Sequence, residues 1–190
     1  MRISSGIARG FSLKSPKSNN TRPATEASRL AIFSSLGDLV EGAKVLDLFA
    51  GTASYSLEAL SNGASSAVFV EKDKSALMCI RENILGIKKY LKNVDTKVYP
   101  IDCFKFKSDT IFDLIFIDPP YPLLLEKSKE IAQLIESLSD ANTIIMLEAP
   151  FEFSLEHFQN FEILKRLGKK SKGKPTQIIM KKAKLNTQAL

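Results

Sequence analysis

The segment 114-LIFIDPPYP-122 joins an apolar strand pattern to a carboxylate, two prolines and a tyrosine. An amine conjugated to an aromatic ring is a poor nucleophile, because its lone pair is delocalised into the ring. Asp118 and the Pro119 carbonyl could each accept an N–H from such an amine and stabilise its developing positive charge. Pro119 and Pro120 would fix the backbone, and Tyr121 offers a face on which a base can stack. The segment predicts chemistry at a base amino group; a plain Pro-Pro turn, with Asp118 capping the next helix, is the alternative.

A second group of polar residues follows the preceding strands. The turn 47-DLFAGTASYS-56 keeps Gly51 but lacks the other glycines of a dinucleotide fingerprint and the lysine of a phosphate loop. Glu71, about twenty residues beyond this turn, can accept from both hydroxyls of a ribose. Asp102 follows the third strand and could accept from an exocyclic amine such as that of adenine. With Asp47, these acids predict a site for a nucleoside without phosphates, because carboxylates repel phosphate.

The elements that must position these residues alternate between strand and helix from residue 44 onward. The predicted strands are 45-VLDLFA-50, 67-AVFVE-71, 97-KVYPI-101, 111-IFDLIFI-117 and 143-TIIMLEA-149. A capped helix is predicted before them, over 25–40, with Leu39 on its apolar face. The segments 161-FEILKRLG-168 and 176-TQIIMKK-182 read as an antiparallel hairpin around the loop 169-KKSKGK-174. This α/β pattern predicts a mostly parallel sheet covered on both faces.

The N-terminal segment has a different pattern. Residues 2–16 alternate polar and apolar residues around Gly6 and Gly10, which is typical of a hairpin. We therefore expect a basic β arm over 1–24, one domain over 25–184 and a frayed tail over 185–190.

Charge is divided unevenly along the 190 residues. The net charge is +5 over residues 1–30, −8 over 31–164 and +9 over 165–190. Two basic terminal segments on an acidic body favour a polyanionic partner that the termini would bind. The alternative is that the charged segments are only solvated surface. We favour the arm over the lysine-rich loop 169–174, because arginine matches phosphate geometry well.

Several function classes are excluded by what the sequence lacks. His157 is the only histidine, and Cys79 and Cys103 form no CxxC pair, so histidine catalysis, a disulfide and a metal site are not expected. No apolar run approaches the length of a membrane span. We expect a cytoplasmic monomer without metal or membrane attachment.

The segments DLFAG, FVEKD, the acid after the third strand and DPPY together resemble the S-adenosylmethionine-dependent methyltransferases. The N-terminal pieces Arg2-Ile3, Gly6, Arg9-Gly10, Leu13, Pro16, 21-TRP-23, Arg29 and Phe33 resemble the opening of the RsmD family. These bacterial enzymes methylate a guanine 2-amino group in small-subunit ribosomal RNA. The resemblance runs from Arg2 to about residue 182. The family's usual turn is closer to G-S-G-A-L-G, and its T-R-P-T is 21-TRPA-24 here.

The resemblance implies a Rossmann-like class I methyltransferase fold, S-adenosylmethionine as cofactor, and 16S ribosomal RNA or the small ribosomal subunit as partner. The predicted catalytic residues are Asp118, Pro119, Pro120 and Tyr121. The predicted cofactor-binding residues are Asp47, Phe49, Ala50, Gly51, Thr52, Glu71, Lys72, Asp102 and Cys103. The predicted RNA-binding residues are Arg2, Arg9, Lys14 and Arg22.

Two other functions stay open from the residues alone. An adenine-N6 methyltransferase acting on DNA or RNA would use the same four-residue site, because that site suits any planar amine. A non-catalytic RNA-binding ribosome assembly factor could keep the fold, and the altered glycine turn is the only feature that favours it.

Overall fold

A computed structural model describes residues 1–16, 25–91 and 94–183 of the chain. Its centre is a seven-stranded sheet with the strand order β3-β2-β1-β4-β5-β7-β6, in which β7 alone runs antiparallel to its neighbours. The strands are β1 (Lys44–Leu48), β2 (Ser66–Val70), β3 (Asp95–Tyr99), β4 (Leu114–Ile117), β5 (Ile144–Pro150), β6 (Phe161–Gly168) and β7 (Pro175–Lys182). The predicted mostly parallel sheet with an antiparallel C-terminal hairpin is confirmed.

Helices cover the sheet on both faces and create two apolar cores. The α-helices are α1 (Glu26–Leu36), α2 (Ser54–Ser61), α3 (Lys74–Ile87), α4 (Tyr121–Glu126) and α5 (Ser128–Ser137), and short 3-10 helices cover Gly37–Val40, Cys103–Lys105 and Glu156–Phe158. The first core lies beneath α1, α2 and α3, and the second lies beneath α4 and α5. Because β1, β4 and β5 are covered on both sides, they read as continuous apolar runs.

The first helix is shorter than the sequence predicts. Thr25 caps it as expected, because its side-chain oxygen accepts from the Ser28 N–H at 3.1 Å. The helix ends at Leu36, since Gly37 has a φ of +53° and turns the chain into a 3-10 helix. The placement of Leu39 on the buried face is therefore wrong: Leu39 is exposed.

The N-terminal arm packs onto the body of the domain. Ile3 and Phe11 pair through their backbones at 2.9 Å, and a single β-bridge joins Arg2 to Ser12, so the pairing is shorter than a full hairpin. The turn between them lies on the end of α2, where a Cβ on Gly6 would come within 1.9 Å of the Ser61 carbonyl oxygen. Only glycine fits there, and its φ of +74° suits glycine as well.

A buried ion pair fastens this arm. Arg29 and Glu58 are both fully buried, with Nε and Oε2 3.4 Å apart. Glu58 also accepts the backbone N–H groups of Ser4 and Ser5, at 2.9 and 2.6 Å for Oε1, and Arg29 donates to the Arg2 carbonyl. Counting Arg29 among the charges available to a polyanion is therefore wrong, because its charge is used inside the fold. The segment 21-TRP-23, with Arg22, and the expected tail at 185–190 lie outside the described residues.

One edge of the sheet is formed by the C-terminal ends of the parallel strands β1 to β5, and we call it the carboxyl edge. In open parallel sheets ligands bind at this edge, near the point where strand order reverses. Here the order reverses between β1 and β4. In the part of the chain that the structure describes, no helix is both long and apolar enough to cross a membrane.

Candidate active site

The turn after β1 has an unusual backbone. Phe49, Gly51 and Ala53 have φ values of 72°, 54° and 63°, in a region that residues other than glycine rarely adopt. The N–H groups of Phe49 and Ala50 both donate to the Val70 carbonyl, at 3.2 and 3.1 Å, which ties the turn to β2. Backbone strain of this kind is concentrated at ligand-binding sites. The turn after β1 thus adopts this backbone without the family's later glycines, and Ala53 takes a glycine-like conformation at the start of α2.

Glu71 lies immediately after β2 and holds this turn. Its Oε2 accepts the Gly51 N–H at 2.9 Å, and its Oε1 accepts the N–H groups of Lys72 and Asp73, each at 2.8 Å. A carboxylate offers about four lone-pair positions, so the Oε2 atom keeps one for a ligand. The Oε2 position could accept a ribose hydroxyl, and the binding of both ribose hydroxyls by Glu71 stays a prediction.

Asp102 lies beside Glu71 along the same edge. Its Oδ2 accepts from Lys72 Nζ at 2.9 Å, and its Oδ1 accepts the Phe104 N–H at 3.1 Å. Hydrogen bonding from Lys72 lowers the pKa of Asp102, so this acid is ionised and can accept from an amine. Cys103 is buried, and burial raises the pKa of its thiol to about 12. Cys103 can therefore contact a ligand only as a neutral thiol.

Asp47 lies inside β1, below the turn. It is almost fully buried, and its Oδ2 accepts from the Ser56 hydroxyl at 2.9 Å. Burial raises the pKa of Asp47 to about 7, against the opposing effect of the Ser56 hydrogen bond. Because it lies beneath the turn and bonds to Ser56, Asp47 can shape the floor of the site.

Asp118 follows β4 directly and lies half-buried at the carboxyl edge. The helix α4 begins at Tyr121, its N-cap is Pro120, and no side chain caps it. Asp118 therefore does not cap this helix, as it would in a plain Pro-Pro turn. The Pro120 carbonyl accepts from the Leu124 N–H at 3.0 Å and belongs to the helix. The Pro119 carbonyl remains the candidate second acceptor for an amine.

Two further carboxyl groups act on Asp118. Burial raises its pKa well above the ordinary value, and the charges of Glu148 and Asp47 raise it further. Glu148 lies in β5, one residue beyond the pair Ile117–Leu147 that joins β4 to β5. Burial raises the pKa of Glu148 as well. The site therefore brings the half-buried Asp118 close to two buried acids, Glu148 and Asp47, whose charges raise its pKa; perturbed pKa values of this kind are common at functional sites.

A hydrogen-bonded network fixes Glu148. Its Oε2 accepts from the Tyr55 hydroxyl at 2.9 Å and from Gln177 Nε2 at 3.2 Å. The Tyr55 ring in turn stacks on Phe116, with the ring centroids 5.4 Å apart. Sequence reasoning missed this network; its only signal was a lone acid in the apolar run of residues 143–149.

Asn83 of α3 connects the arm to the glycine turn. Its Nδ2 donates to the Thr52 carbonyl at 3.1 Å and to the Lys14 carbonyl at 2.9 Å, and its Oδ1 accepts the Lys14 N–H at 2.7 Å. Asn83 is buried and was not predicted from the sequence. Thr52, predicted as a cofactor residue, is thus held by its backbone.

Three of the predicted RNA-binding residues, Arg2, Arg9 and Lys14, lie in the described part of the arm. Lys14 lies near the turn, where its Nζ pairs with Glu82 at 2.7 Å on the surface. Arg9 lies two residues beyond Ile7, whose N–H donates to Ser61 at the far end of α2. The backbone N–H of Arg2 donates to Glu26 at 3.0 Å. Their RNA-binding role stays a prediction, and Arg22 lies outside the described residues.

Metal ions require sets of suitable ligand side chains. Across residues 1–16, 25–91 and 94–183, no group of three or more histidine, cysteine, aspartate or glutamate side chains could hold a metal ion. The acids at the carboxyl edge are instead engaged by backbone N–H groups, a lysine, a tyrosine and a glutamine.

The strand order, the strained turn after β1 and the Asp-Pro-Pro-Tyr turn after β4 define a Rossmann-like class I methyltransferase fold. A solved Escherichia coli structure titled "Putative methyltransferase yhhF" matches it with a TM-score of 0.80 and 26% identity, covering 96% of this chain and 97% of that one. The fold prediction is confirmed.

Sequence comparisons give the family. The family described as "Conserved hypothetical protein 95" matches residues 1–180. The "Putative rRNA methyltransferase YlbH" of Bacillus subtilis (strain 168) is 33% identical over 175 residues, which is 88% of each chain. The "Ribosomal RNA small subunit methyltransferase D" of Escherichia coli (strain K12) is 30% identical over 158 residues, covering 82% of this chain and 77% of that protein. The chain belongs to this family, which is the RsmD family that the sequence resembles.

Proposed function

We propose that this protein transfers a methyl group from S-adenosylmethionine to the exocyclic 2-amino group of a guanine in small-subunit (16S) ribosomal RNA. The observation that carries the proposal is the position of Asp118. It leaves β4 at the carboxyl edge next to the strained turn after β1, and Pro119 and Pro120 follow it. Family membership and the names of the relatives support ribosomal RNA as the substrate.

The residues at the edge fit S-adenosylmethionine. Glu71 keeps an acceptor position for a ribose hydroxyl, and ionised Asp102 can accept from the adenine amine. A Cβ on Gly51 would meet only the Phe49 carbonyl oxygen, at 3.8 Å, so Gly51 is there for its φ of +54°. That conformation lets the backbone of residues 49–51 face the amino-acid end of the cofactor. Lys72 pairs with Asp102 and limits the repulsion between the acids.

The cofactor supplies a methyl group on a sulfonium, which is already a strong electrophile. The task of the protein is to hold the amine in line with it, and such positioning can contribute most of a rate enhancement. The carboxylate of Asp118 and the carbonyl of Pro119 would accept the two amine N–H groups. As the nitrogen would bond to the methyl carbon, the methyl–sulfur bond would break and leave its electron pair on the sulfur of the demethylated product. The nitrogen would become positive, and Asp118 would take one N–H proton.

The elevated pKa of Asp118 fits this step. A carboxylate surrounded by Glu148 and Asp47 binds a proton more strongly than one in water. Only the ionised form can accept both the hydrogen bond and the proton, so the repulsion that makes Asp118 a better base also delays its ionisation as pH rises. Activity should therefore increase with pH until Asp118 is ionised.

Tyr121 would bind the guanine ring. It is half-buried at the first position of α4, next to the acceptors. A base that leaves its stack can lie against an aromatic side chain, a contact worth about 1–3 kcal/mol. Tyr121→Phe should keep most activity and Tyr121→Ala should lose it, because stacking needs the ring and not the hydroxyl.

The test is mass spectrometry of 16S ribosomal RNA from cells with and without the gene. The proposal expects one N2-methylguanosine to disappear without the gene, to return with the wild-type gene, and to stay absent with Asp118→Ala. Loss of an N6-methyladenosine instead would support the adenine methyltransferase. An unchanged RNA, together with no cofactor binding by the purified protein, would support the assembly factor.

A further inference from the structure

The loop between β6 and β7 contains four lysines in six residues. We call residues 169–174 the lysine loop; its basic residues are Lys169, Lys170, Lys172 and Lys174. The strand β7 runs antiparallel to β5, and Pro175 pairs with Pro150, so the start of β7 lies beside the end of β5. The lysine loop therefore lies at the carboxyl edge, the same edge as Asp118.

The distance from the loop to the reacting position follows from the strand order. The loop joins β6 to β7, and only β5 lies between β7 and β4. Neighbouring strands are about 4.8 Å apart, so the loop lies roughly 10–15 Å from the end of β4. Lysine side chains at this distance could contact the backbone of a strand whose base reaches Asp118.

The backbone of the lysine loop is held firmly. The Lys174 carbonyl accepts the Phe151 N–H at 2.9 Å, and the Glu152 carboxylate accepts the Gly173 N–H at 2.8 Å. Gly173 has a φ of +70°, which suits glycine. Arg166 supports the same corner, since its Nη2 donates to the Pro150 carbonyl at 3.0 Å. The segment that follows β5 thus fixes the shape of the loop.

The four lysines themselves are exposed. Among the described residues, none of their ammonium groups lies within ion-pair distance of a carboxylate. The Gly173 N–H lowers the pKa of Glu152 most, and the charges of Lys172 and Arg166 lower it further, so Glu152 offsets only part of the loop's charge. The loop therefore presents a concentrated positive charge on a rigid backbone.

The arm contrasts with the loop in this respect. Lys14 is paired with Glu82, and Arg29 is buried with Glu58. The turn that contains Arg9 lies at the far end of α2, and this helix starts at the carboxyl edge and runs away from it. Arg9 is thus placed near the opposite edge of the sheet.

We propose that the lysine loop, and not Arg9 of the arm, binds the phosphates of the substrate RNA that flank the methylated base. The inference rests on the proposed function, because it takes RNA as the substrate. Lysine binds phosphate as a point charge, without the two-pronged geometry of arginine. The loop would therefore contribute affinity and position without reading sequence.

The test compares two variants that remove the same charge. The first is Lys169→Gln/Lys170→Gln/Lys172→Gln in the loop. The matched control is Lys44→Gln/Lys88→Gln/Lys89→Gln, three exposed lysines at the start of β1 and after the end of α3, both at the opposite edge. Arg9→Gln is measured beside them. The probe is 16S ribosomal RNA transcribed in vitro, titrated at several salt concentrations.

The loop variant should bind the RNA at least about tenfold more weakly at low salt. Its slope of log K against log salt should fall by roughly 0.7 for each phosphate that the loop no longer neutralises. The control and Arg9→Gln should keep the wild-type slope. With small subunits from cells lacking the gene as substrate, the loop variant should raise KM, keep kcat, and bind S-adenosylmethionine normally.

Equal slopes in the loop variant and the control would overturn the proposal, and so would a larger loss of affinity in Arg9→Gln. Failure of the proposed function gives a different result. In that case the wild-type protein would neither bind S-adenosylmethionine nor methylate the subunits, whatever the salt dependence of RNA binding.

Discussion

Gly51 donates its backbone N–H to Glu71 Oε2 at 2.9 Å, so the acid after β2 holds the turn after β1. The two residues are 20 positions apart in sequence, and the parallel pairing of β1 with β2 brings them together. Glu71 therefore has two roles. It holds the Gly51 turn in place, and in the proposed function it would also bind the ribose with its remaining lone pair.

Replacing Glu71 with alanine should weaken binding of S-adenosylmethionine by about 1.5–3 kcal/mol, the value of a hydrogen bond to a charged group. Isothermal titration calorimetry would measure this loss. The affinity of Glu71→Gln for S-adenosylmethionine should lie between those of the wild type and Glu71→Ala, because the amide oxygen still accepts a hydrogen bond while the NH₂ group cannot. Glu130→Ala, an exposed acid on α5, is the control and should bind normally. Wild-type affinity in Glu71→Ala would remove Glu71 from the site.

Asp47 should make the protein less stable as pH rises. Its pKa is about 7 in the folded protein against 3.8 ordinarily, so the folded state holds the proton more tightly than the unfolded state. The contribution of Asp47 to the free energy of unfolding is largest below about pH 4. It is lost as pH rises from about 4 to 7, by up to about 4 kcal/mol. Asp47→Asn keeps an oxygen for Ser56 and removes the titration.

Urea unfolding at several pH values would check this. The stability difference between Asp47→Asn and the wild type should grow in favour of the variant between pH 4 and 7 and then stay constant. A difference that does not change with pH would mean that Asp47 titrates alike in the folded and unfolded states.

The arm should depend on the Arg29–Glu58 pair. Glu58→Gln removes the Glu58 charge from beside the buried guanidinium, and breaking a buried pair in this way costs about 3–5 kcal/mol. Arg29→Met/Glu58→Gln should recover part of that loss, because neither member of the pair is then charged. Unfolding free energies of the two single variants and the double variant give the coupling energy. Strict additivity would contradict the pairing.

The fold could be predicted well from the sequence because its strongest signals are local. The runs at 114–117 and 144–150 are apolar because helices cover both faces of the sheet. The hairpin pattern likewise predicted β6 and β7 nearly to the residue. Leu39 was placed wrongly because a single glycine, Gly37, ended the helix before the apolar pattern did.

The sequence could suggest candidate site residues only where they lie in short motifs. Gly51 and Asp118 lie in such motifs and could be picked out. Glu148 and Asn83 could not, because their partners are distant in sequence and the contacts depend on strand order and helix placement. Lone polar residues in apolar segments were the only signal. Arg29, counted in the net charge of residues 1–30, is buried for a similar reason: its partner Glu58 is 29 residues away.

Glu148 should control the pH dependence of the reaction. Its charge raises the pKa of Asp118, and the groups facing the same cluster are Asp47 and Tyr55. Glu148→Gln removes that charge, so Asp118 should ionise at lower pH and the midpoint of the pH–kcat profile should move down. Tyr55→Phe, which leaves the charge of Glu148 in place, should not move it down. A profile unchanged in Glu148→Gln would show that Asp118 does not limit the rate by its ionisation.

The most direct test of the central claim separates methyl transfer from cofactor binding in Asp118→Ala. Single-turnover transfer to small subunits from cells lacking the gene should fall by about 10²–10³-fold or more, because an acceptor for developing charge is removed. Calorimetry on the same protein should find S-adenosylmethionine affinity within a few-fold of the wild type. Asp109→Ala, an exposed acid in the loop before β4, should retain both. Near-normal transfer by Asp118→Ala would contradict the assignment of the Asp-Pro-Pro-Tyr turn as the catalytic site.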